Sequence, residues 1–170
     1  MNRVSLDNLP SESWASPGGR FKQTMKQVSE ALGRVPDSTD LTKRHPFDVE
    51  WCVLPGRSEN YPYHAHACQW EMYVFLKGEG FARDQSGKHP VKGGDIVLFA
   101  PGEAHQIINE SDADLVYFVI ADNPLVDPCY YPDSDKWAVK VGEKRKIMVG
   151  EEVDYFYREE ESGPTQEGNC

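Results

Sequence analysis

The sequence contains no long hydrophobic run. The first twenty residues, MNRVSLDNLPSESWASPGGR, have no apolar stretch of signal-peptide length, and no segment approaches the ~20 apolar residues of a membrane span. We therefore expect a cytoplasmic protein that has no membrane partner.

Closely spaced cysteines and clustered positive charge are also missing. The four cysteines, Cys52, Cys68, Cys129 and Cys170, lie far apart without a C-x-x-C pair, so neither a thiolate zinc site nor a dense disulfide framework is indicated. The net charge is −10 and the 18 Lys and Arg residues are scattered, which argues against a surface that collects phosphate backbones. We expect no nucleic-acid partner.

Short strand-like segments are abundant between residues 46 and 122. Gly and Pro turns separate these runs, which are rich in β-branched and aromatic residues. Such a pattern is typical of an all-β sandwich or barrel rather than of a βαβ protein. The runs are FDVEWCVL, YPYHAH, EMYVFL, GFARD, DIVLFA, HQIIN and ADLVYFVIAD.

The chain divides into four regions by composition, around one domain. We expect residues 1–45 to form an N-terminal extension that packs on the barrel and residues 46–122 to form the barrel core. Residues 123–158 are aromatic and turn-rich, which predicts a segment that wraps the barrel. Residues 159–170 carry no apolar anchor and are predicted to be a disordered tail.

The segment from Phe21 to Leu32 fits two periods. Phe21, Met25, Val28 and Leu32 recur at helical spacing, whereas every second residue from Phe21 also fits one face of a strand. The period alone predicts a helix.

The segment from Leu115 to Ile120 is apolar on both alternating faces. One face is expected to meet the barrel core, and the other must be covered as well. We expect a homodimer, although cover by residues 1–30 of the same chain explains the same pattern.

Four side chains are candidate metal ligands. His64 and His66 are separated by one residue and therefore lie on the same side of an extended strand. A turn after Ala67 would bring Glu71 to the same point, and His105 follows a sharp PG turn on a neighbouring strand. Imidazoles with one carboxylate suit a single divalent ion such as Zn, Fe, Mn or Ni, without selecting among these metals.

The spacing of these residues resembles the two motifs of the cupin superfamily. The resemblance covers about Pro55 to Asn109 and implies an all-β, jelly-roll (double-stranded β-helix) barrel with the metal inside. It places all four ligands, His64, His66, Glu71 and His105, by position. The two motifs read His64-x-His66-x4-Glu71-x6-Gly78 and Gly94-x7-Gly102-x2-His105-x3-Asn109.

The terminal segments are similar to those of a group of bacterial single-domain cupins, some of which are labelled sugar phosphate isomerases. That resemblance implies that the N-terminal segment adds a strand to the sheet, against its helical period. It also implies a small polar metabolite as substrate, for which Glu71 and Tyr73 are the nearby residues able to move a proton. The motifs place no Lys or Arg at the pocket mouth, and this counts against a phosphorylated sugar.

Two other classes of function remain open. Two imidazoles and one carboxylate also suit an Fe(II)-dependent dioxygenase, because they leave positions for oxygen and substrate. A non-catalytic module that binds a small molecule is the second alternative, since a fold does not determine its chemistry.

Overall fold

The structure, a computed structural model, describes residues 1–36, 38–141 and 144–159. Of the predicted tail, residues 160–170 lie outside these ranges. The fold is almost entirely β, with 47% of residues in strands and 6% helical, which confirms the expected fold class. Within the described ranges, no helix has the length and apolarity needed to cross a membrane.

The described residues form fourteen strands and one short helix, α1 (Val28–Ala31). Short 3-10 turns occur at Leu6–Asn8 and Pro132–Ser134. The strands are β1 (Glu12–Ala15), β2 (Lys22–Gln27), β3 (Phe47–Leu54), β4 (Ser58–Glu59), β5 (Ala65–His66), β6 (Glu71–Lys77), β7 (Glu79–Asp84), β8 (Gly87–Lys92), β9 (Ile96–Phe99), β10 (Gln106–Asn109), β11 (Leu115–Asp122), β12 (Cys129–Tyr131), β13 (Lys136–Val141) and β14 (Lys144–Met148).

Three antiparallel sheets build the barrel. The large sheet has the strand order β1-β2-β3-β11-β6-β9, and a four-stranded sheet has the order β4-β10-β7-β8. The C-terminal strands form a third sheet in the order β14-β13-β12-β5, so the two-residue strand β5 pairs with β12. This pairing carries part of the histidine-rich segment into contact with the C-terminal region.

The core lies inside the barrel. Because side chains alternate along a strand, β3, β6 and β11 send every second residue inward. Removing this apolar area from water is the main stabilising contribution, at roughly 25 cal/mol per Å². Among the largest fully buried side chains are Leu54, Tyr73, Phe75, Ile107, Leu115 and Tyr117.

The helix predicted for residues 21–32 is wrong over most of its length. Lys22–Gln27 is strand β2, which pairs with β3 in the register Thr24↔Val53, and only Val28–Ala31 is helical. Gln23 and Met25 are buried on the inner face of this strand. Pairing with β3 and burial on a period of two outweigh the local helical period. The added strand that the resemblance implied is therefore confirmed.

Gly78 shapes the turn between β6 and β7. Its φ angle is 86°, and a Cβ atom there would lie 2.3 Å from the carbonyl oxygen of Asp114. Only glycine fits a position that combines positive φ with such a close backbone approach.

Candidate metal centre

His64 and His105 are held together directly by their backbones. The amide of His64 donates to the carbonyl of His105 at 3.1 Å, and the amide of His105 donates back at 2.7 Å. This backbone pairing brings the two imidazole rings together, with centroids 4.7 Å apart. Phe99 of β9 stacks on the His105 ring at 4.2 Å and fixes its plane.

His66 and Glu71 complete a group of four. His66 ends β5, whereas Glu71 begins β6 on its inner face. The carboxylate of Glu71 lies 2.8 Å from Nε2 of His105 and 3.4 Å from Nε2 of His66. One ligand atom from each of His64, His66, Glu71 and His105 lies within 4.8 Å of the other three. The structure thus brings together all four residues that the sequence singled out.

The outer nitrogen of each imidazole has an acceptor, so each Nδ1 carries the proton and donates it. Each Nε2 then lies on the inner side of its ring, and an acceptor on the outer nitrogen is the arrangement found around metal-binding histidines. Nε2 of His105 is within hydrogen-bond distance of the Glu71 carboxylate, at 2.8 Å. The acceptors are the carbonyl oxygens of Pro62 for His64 (2.8 Å) and Glu103 for His105 (3.0 Å), and the carboxylate of Asp127 for His66 (2.5 Å).

Asp127 is a site residue that sequence reasoning missed. Its second carboxylate oxygen accepts the backbone amides of Cys68 at 2.8 Å and Gln69 at 3.2 Å, in the turn between His66 and Glu71. Asp127 therefore orients one imidazole and fixes the loop that leads to the carboxylate of the group. No local pattern marks this residue, which lies in the connection between β11 and β12.

Burial and neighbouring charges give His64, His66 and Glu71 different pKa shifts. Burial, helped by the charge of His105, lowers the pKa of His64 to about 4, so His64 is neutral at pH 7. Burial would also lower the pKa of His66, but hydrogen bonds to Asp127 and Glu71 outweigh it and raise the value to about 9. Burial opposes ionisation of Glu71, yet hydrogen bonds from His105 and His66 hold its pKa well below the usual range.

The group fits a divalent cation. Nε2 of His66 is buried and makes no close hydrogen bond, and the carboxylate of Glu71, which is ionised at neutral pH, lies 3.4 Å from it. Three imidazole nitrogens and one carboxylate oxygen suit Zn, Fe, Mn or Ni. Because imidazole binds metal only when it is neutral at the ligating nitrogen, loading the site displaces the extra proton that His66 holds.

Tyr73 hydrogen-bonds to the carboxylate of the candidate metal centre. Its hydroxyl donates to Glu71 at 2.9 Å, and its side chain is almost completely buried. Burial, together with the negative charge of Glu71, raises the pKa of Tyr73 well above its ordinary value. Tyr73 therefore keeps its proton at neutral pH and fixes the position of the Glu71 carboxylate.

A cavity of 1180 Å³ opens next to the four residues. Glu50, on the inner face of β3, lines this cavity and was also missed by sequence reasoning. Burial and the charge of Asp48 raise the pKa of Glu50 to about 7. The signal was present in FDVEWCVL, where Asp48 and Glu50 alternate in phase with the core residues Cys52 and Leu54.

Four cationic side chains line the same cavity, Arg34, Arg44, Lys140 and Arg145. All four come from outside the two histidine-containing motifs. The motifs themselves supply no positive charge to the cavity, as expected, but other segments do, so the lack of Lys and Arg in the motifs does not count against a phosphorylated sugar.

Comparison with known proteins matches the central part of the chain to one domain family. The cupin domain family matches residues 49–121, which include all four residues of the candidate metal centre. The chain carries a cupin domain. The cupin resemblance stated from the motifs is thereby confirmed.

Cupins of known structure share the fold. A sugar phosphate isomerase from a cupin superfamily of Silicibacter pomeroyi superimposes with a TM-score of 0.73 and 21% identity, covering 86% of this chain and 92% of that chain. A predicted oxalate decarboxylase from Thermotoga maritima gives a TM-score of 0.57 at 22% identity, covering 72% and 99%.

One curated relative matches part of the chain. The oxalate-binding protein of Thermotoga maritima is 35% identical over 57 residues, which are 34% of this chain and 47% of that protein. The chain thus matches about half the length of this relative.

Proposed function

We propose that this cupin is a metal-dependent isomerase of a small hydroxy-carbonyl metabolite of the sugar or sugar phosphate type. The observation that carries the proposal is the pairing of two features in one cavity. The candidate metal centre lies beside it, and Glu50, a carboxyl with a pKa of about 7, lies on its wall. The structural likeness to a sugar phosphate isomerase supports the choice of substrate class.

His64, His66, Glu71 and His105 would hold the metal. When bound, the ion supplies Lewis acidity to neighbouring carbonyl and hydroxyl oxygens of a substrate. Asp127 holds the ring of His66 in place, and Tyr73 does the same for the carboxylate of Glu71.

Glu50 is the group best suited to move the proton. Isomerisation transfers one proton from the hydroxyl-bearing carbon to the carbonyl carbon and another between the two oxygens, and it needs no oxidant. A carboxyl with a pKa near the working pH both accepts and returns a proton efficiently. Glu71 is ionised and hydrogen-bonded to the histidines, and Tyr73 keeps its proton at neutral pH. We therefore place the proton transfer on Glu50 instead of on Glu71 or Tyr73.

The test is deuterium exchange. Purified protein is first analysed for its metal and then incubated in D2O with a panel of aldoses, ketoses and their phosphates, while NMR follows deuterium at the carbon beside the carbonyl. We expect exchange with one member of the panel, and we expect Glu50→Gln to abolish exchange without loss of metal. Metal-loaded protein that exchanges none of them contradicts the proposal.

A non-catalytic binding module is the second candidate. It is favoured by one observation, that the curated relative is named an oxalate-binding protein. Tight binding of oxalate with no turnover of any panel member would support this function. Iron in the purified protein, with oxygen uptake on addition of substrate, would instead support a dioxygenase.

We also propose that the protein is a homodimer. The outward side chains of β6, β9 and β11 are apolar, among them Leu76, Ile96 and Leu98 with 47%, 64% and 54% of their surface exposed. Strands β1 and β2 extend the sheet edge, so they leave this face open. A contiguous apolar face of this kind is typical of a protein interface.

Light scattering after gel filtration tests the dimer. Leu98→Glu is expected to give a monomer, whereas Leu41→Glu, in an exposed turn elsewhere, is expected to leave the dimer intact. A wild-type monomer at micromolar concentration would overturn this assignment.

A further inference from the structure

Two positive side chains lie opposite each other on the hairpin of β13 and β14. Lys140 pairs directly with Arg145 in the strand register, so both side chains lie on the same face. That face also carries Ala138, and all three residues line the cavity of the candidate metal centre. Like charges directly opposite each other in an antiparallel pair destabilise the sheet. Two positive groups side by side on the cavity wall also attract an anion into the cavity.

Arg145 lines the cavity together with immediate neighbours of the histidines. Cys129 and Tyr131 belong to the same lining. Cys129 pairs with His66 across β12 and β5, and Tyr131 stacks on the ring of His64 with centroids 5.9 Å apart. Arg145 therefore lies on the cavity side of the C-terminal sheet, within electrostatic range of residues that contact the candidate ligands.

Most carboxylates that line the cavity already have a hydrogen-bond or ion-pair partner. Asp127 bonds His66, and Asp48 forms an ion pair with Arg34 at 2.6 Å. Arg145 forms no ion pair within the described part of the chain. The pKa of about 7 leaves Glu50 only partly ionised at neutral pH. Bound metal would add further positive charge, so the cavity as a whole is suited to an anion.

We infer that Arg145, with Lys140 beside it, binds a phosphate or carboxylate group of the substrate, while the hydroxy-carbonyl end of the same molecule lies at the metal centre. The placement of the hydroxy-carbonyl end at the metal centre rests on the proposed function, whereas anion binding by Arg145 does not. The substrate class is a small metabolite with an anionic group separated from its reacting carbons. A guanidinium recognises either anion with two parallel hydrogen bonds, which also fixes the direction in which the substrate lies.

Anion binding tests the inference without turnover. Inorganic phosphate and acetate are titrated into metal-loaded protein by calorimetry, with Arg145→Gln as the test variant. Lys146→Gln is the matched control, because Lys146 is the next residue of the same strand, is exposed, and pairs with Val139 on the opposite face of the hairpin. His66→Ala, which lacks a candidate metal ligand, separates binding at the metal from binding at the hairpin.

We expect one of the two anions to bind the wild type in a salt-sensitive manner and to bind Arg145→Gln about tenfold more weakly or worse, the loss of a charge-assisted contact. Lys146→Gln should bind like the wild type, and His66→Ala should keep the dependence on Arg145. Binding of phosphate alone would assign a phosphoryl group, and binding of acetate alone a carboxylate.

The inference is overturned if neither anion binds at millimolar concentration, if Arg145→Gln binds as the wild type does, or if Lys146→Gln loses as much affinity. Its failure is distinct from failure of the proposed function, because the latter appears as absent deuterium exchange in a protein that still binds the anion through Arg145.

Discussion

The carboxylate of Asp127 accepts a hydrogen bond from Nδ1 of His66 at 2.5 Å, although the two residues are 61 positions apart in the chain. The same carboxylate also accepts the amides of Cys68 and Gln69. One side chain of the C-terminal region thus holds both an imidazole of the candidate metal centre and the loop that follows it.

Replacing this carboxylate should weaken metal binding. We expect Asp127→Ala to reduce metal affinity by about 10- to 100-fold, because an orienting partner of a ligating histidine is lost. Competition with a chelator of known affinity measures the change. Asp133→Ala is the matched control, since Asp133 pairs with Arg83 instead and is half exposed. Equal affinities in the two variants would contradict a role for Asp127 at this centre.

Removing the metal should lower the melting temperature. An ion that binds only the folded state stabilises it by about 2.7 kcal/mol when its concentration is a hundred times the Kd. Chelator treatment should therefore shift thermal unfolding of the wild type downward, and His66→Ala should unfold at a lower temperature and show no further shift.

His89→Ala serves as the control for that experiment, because His89 is exposed and hydrogen-bonds to Ser86 and Asp84. Full metal content in His66→Ala would rule out the four-ligand assignment.

Glu50 should make the metal-free protein less stable as the pH rises. Its pKa is about 7 in the folded protein against 4.5 for the ordinary group, so between these values the unfolded chain ionises while the folded protein retains the proton. The resulting penalty is absent below about pH 4.5 and complete above about pH 7, where it amounts to about 3 kcal/mol.

Glu50→Gln removes this penalty. We expect the variant to be more stable than the wild type at pH 8 and of similar stability at pH 5, as measured by urea unfolding of chelator-treated protein. Glu79→Gln, at an exposed position on β7, should show no such difference. A wild-type advantage at pH 8 would mean that Glu50 is not destabilised by burial.

Truncation after Asn123 should abolish both stability and metal binding. It removes Asp127 and strand β12, which pairs with β5. It also removes Tyr131, which stacks on the ring of His64. An insoluble or unfolded product is expected, because strand β5 loses its strand partner and its backbone groups lose their hydrogen bonds. Truncation after Glu159 is the control and should leave the melting temperature unchanged. A soluble short form with unchanged metal content would show that the C-terminal segment is dispensable.

Local pattern was sufficient for the parts of this fold that depend on neighbours in sequence. FDVEWCVL is strand β3 over its whole length, and the spacing of His64, His66 and Glu71 placed three side chains at one point. The same reasoning failed for Lys22–Gln27, where pairing with β3 decides the conformation. It also missed β8, because the GKHPVK segment resembles a turn and is mostly exposed.

Long-range partners were beyond this reasoning. Asp127 and Arg145 stand in segments without a motif, and they reach the cavity only because β12 to β14 pair along β5. Glu50 was visible as an acidic residue in phase with the core, but its raised pKa depends on burial by strands distant in sequence.

The pairing of β5 with β12 also constrains the order in which the protein matures during synthesis. Strand β5 lies at the edge of its sheet, and its strand partner, Cys129–Tyr131, leaves the ribosome more than sixty residues after His66. Until that partner and Asp127 have emerged, a nascent chain offers His66 without the contacts that orient it. If an ion binds at the candidate metal centre, its capture is therefore a late event that follows closure of the C-terminal sheet, and a ribosome-bound chain stalled before residue 127 should not retain metal.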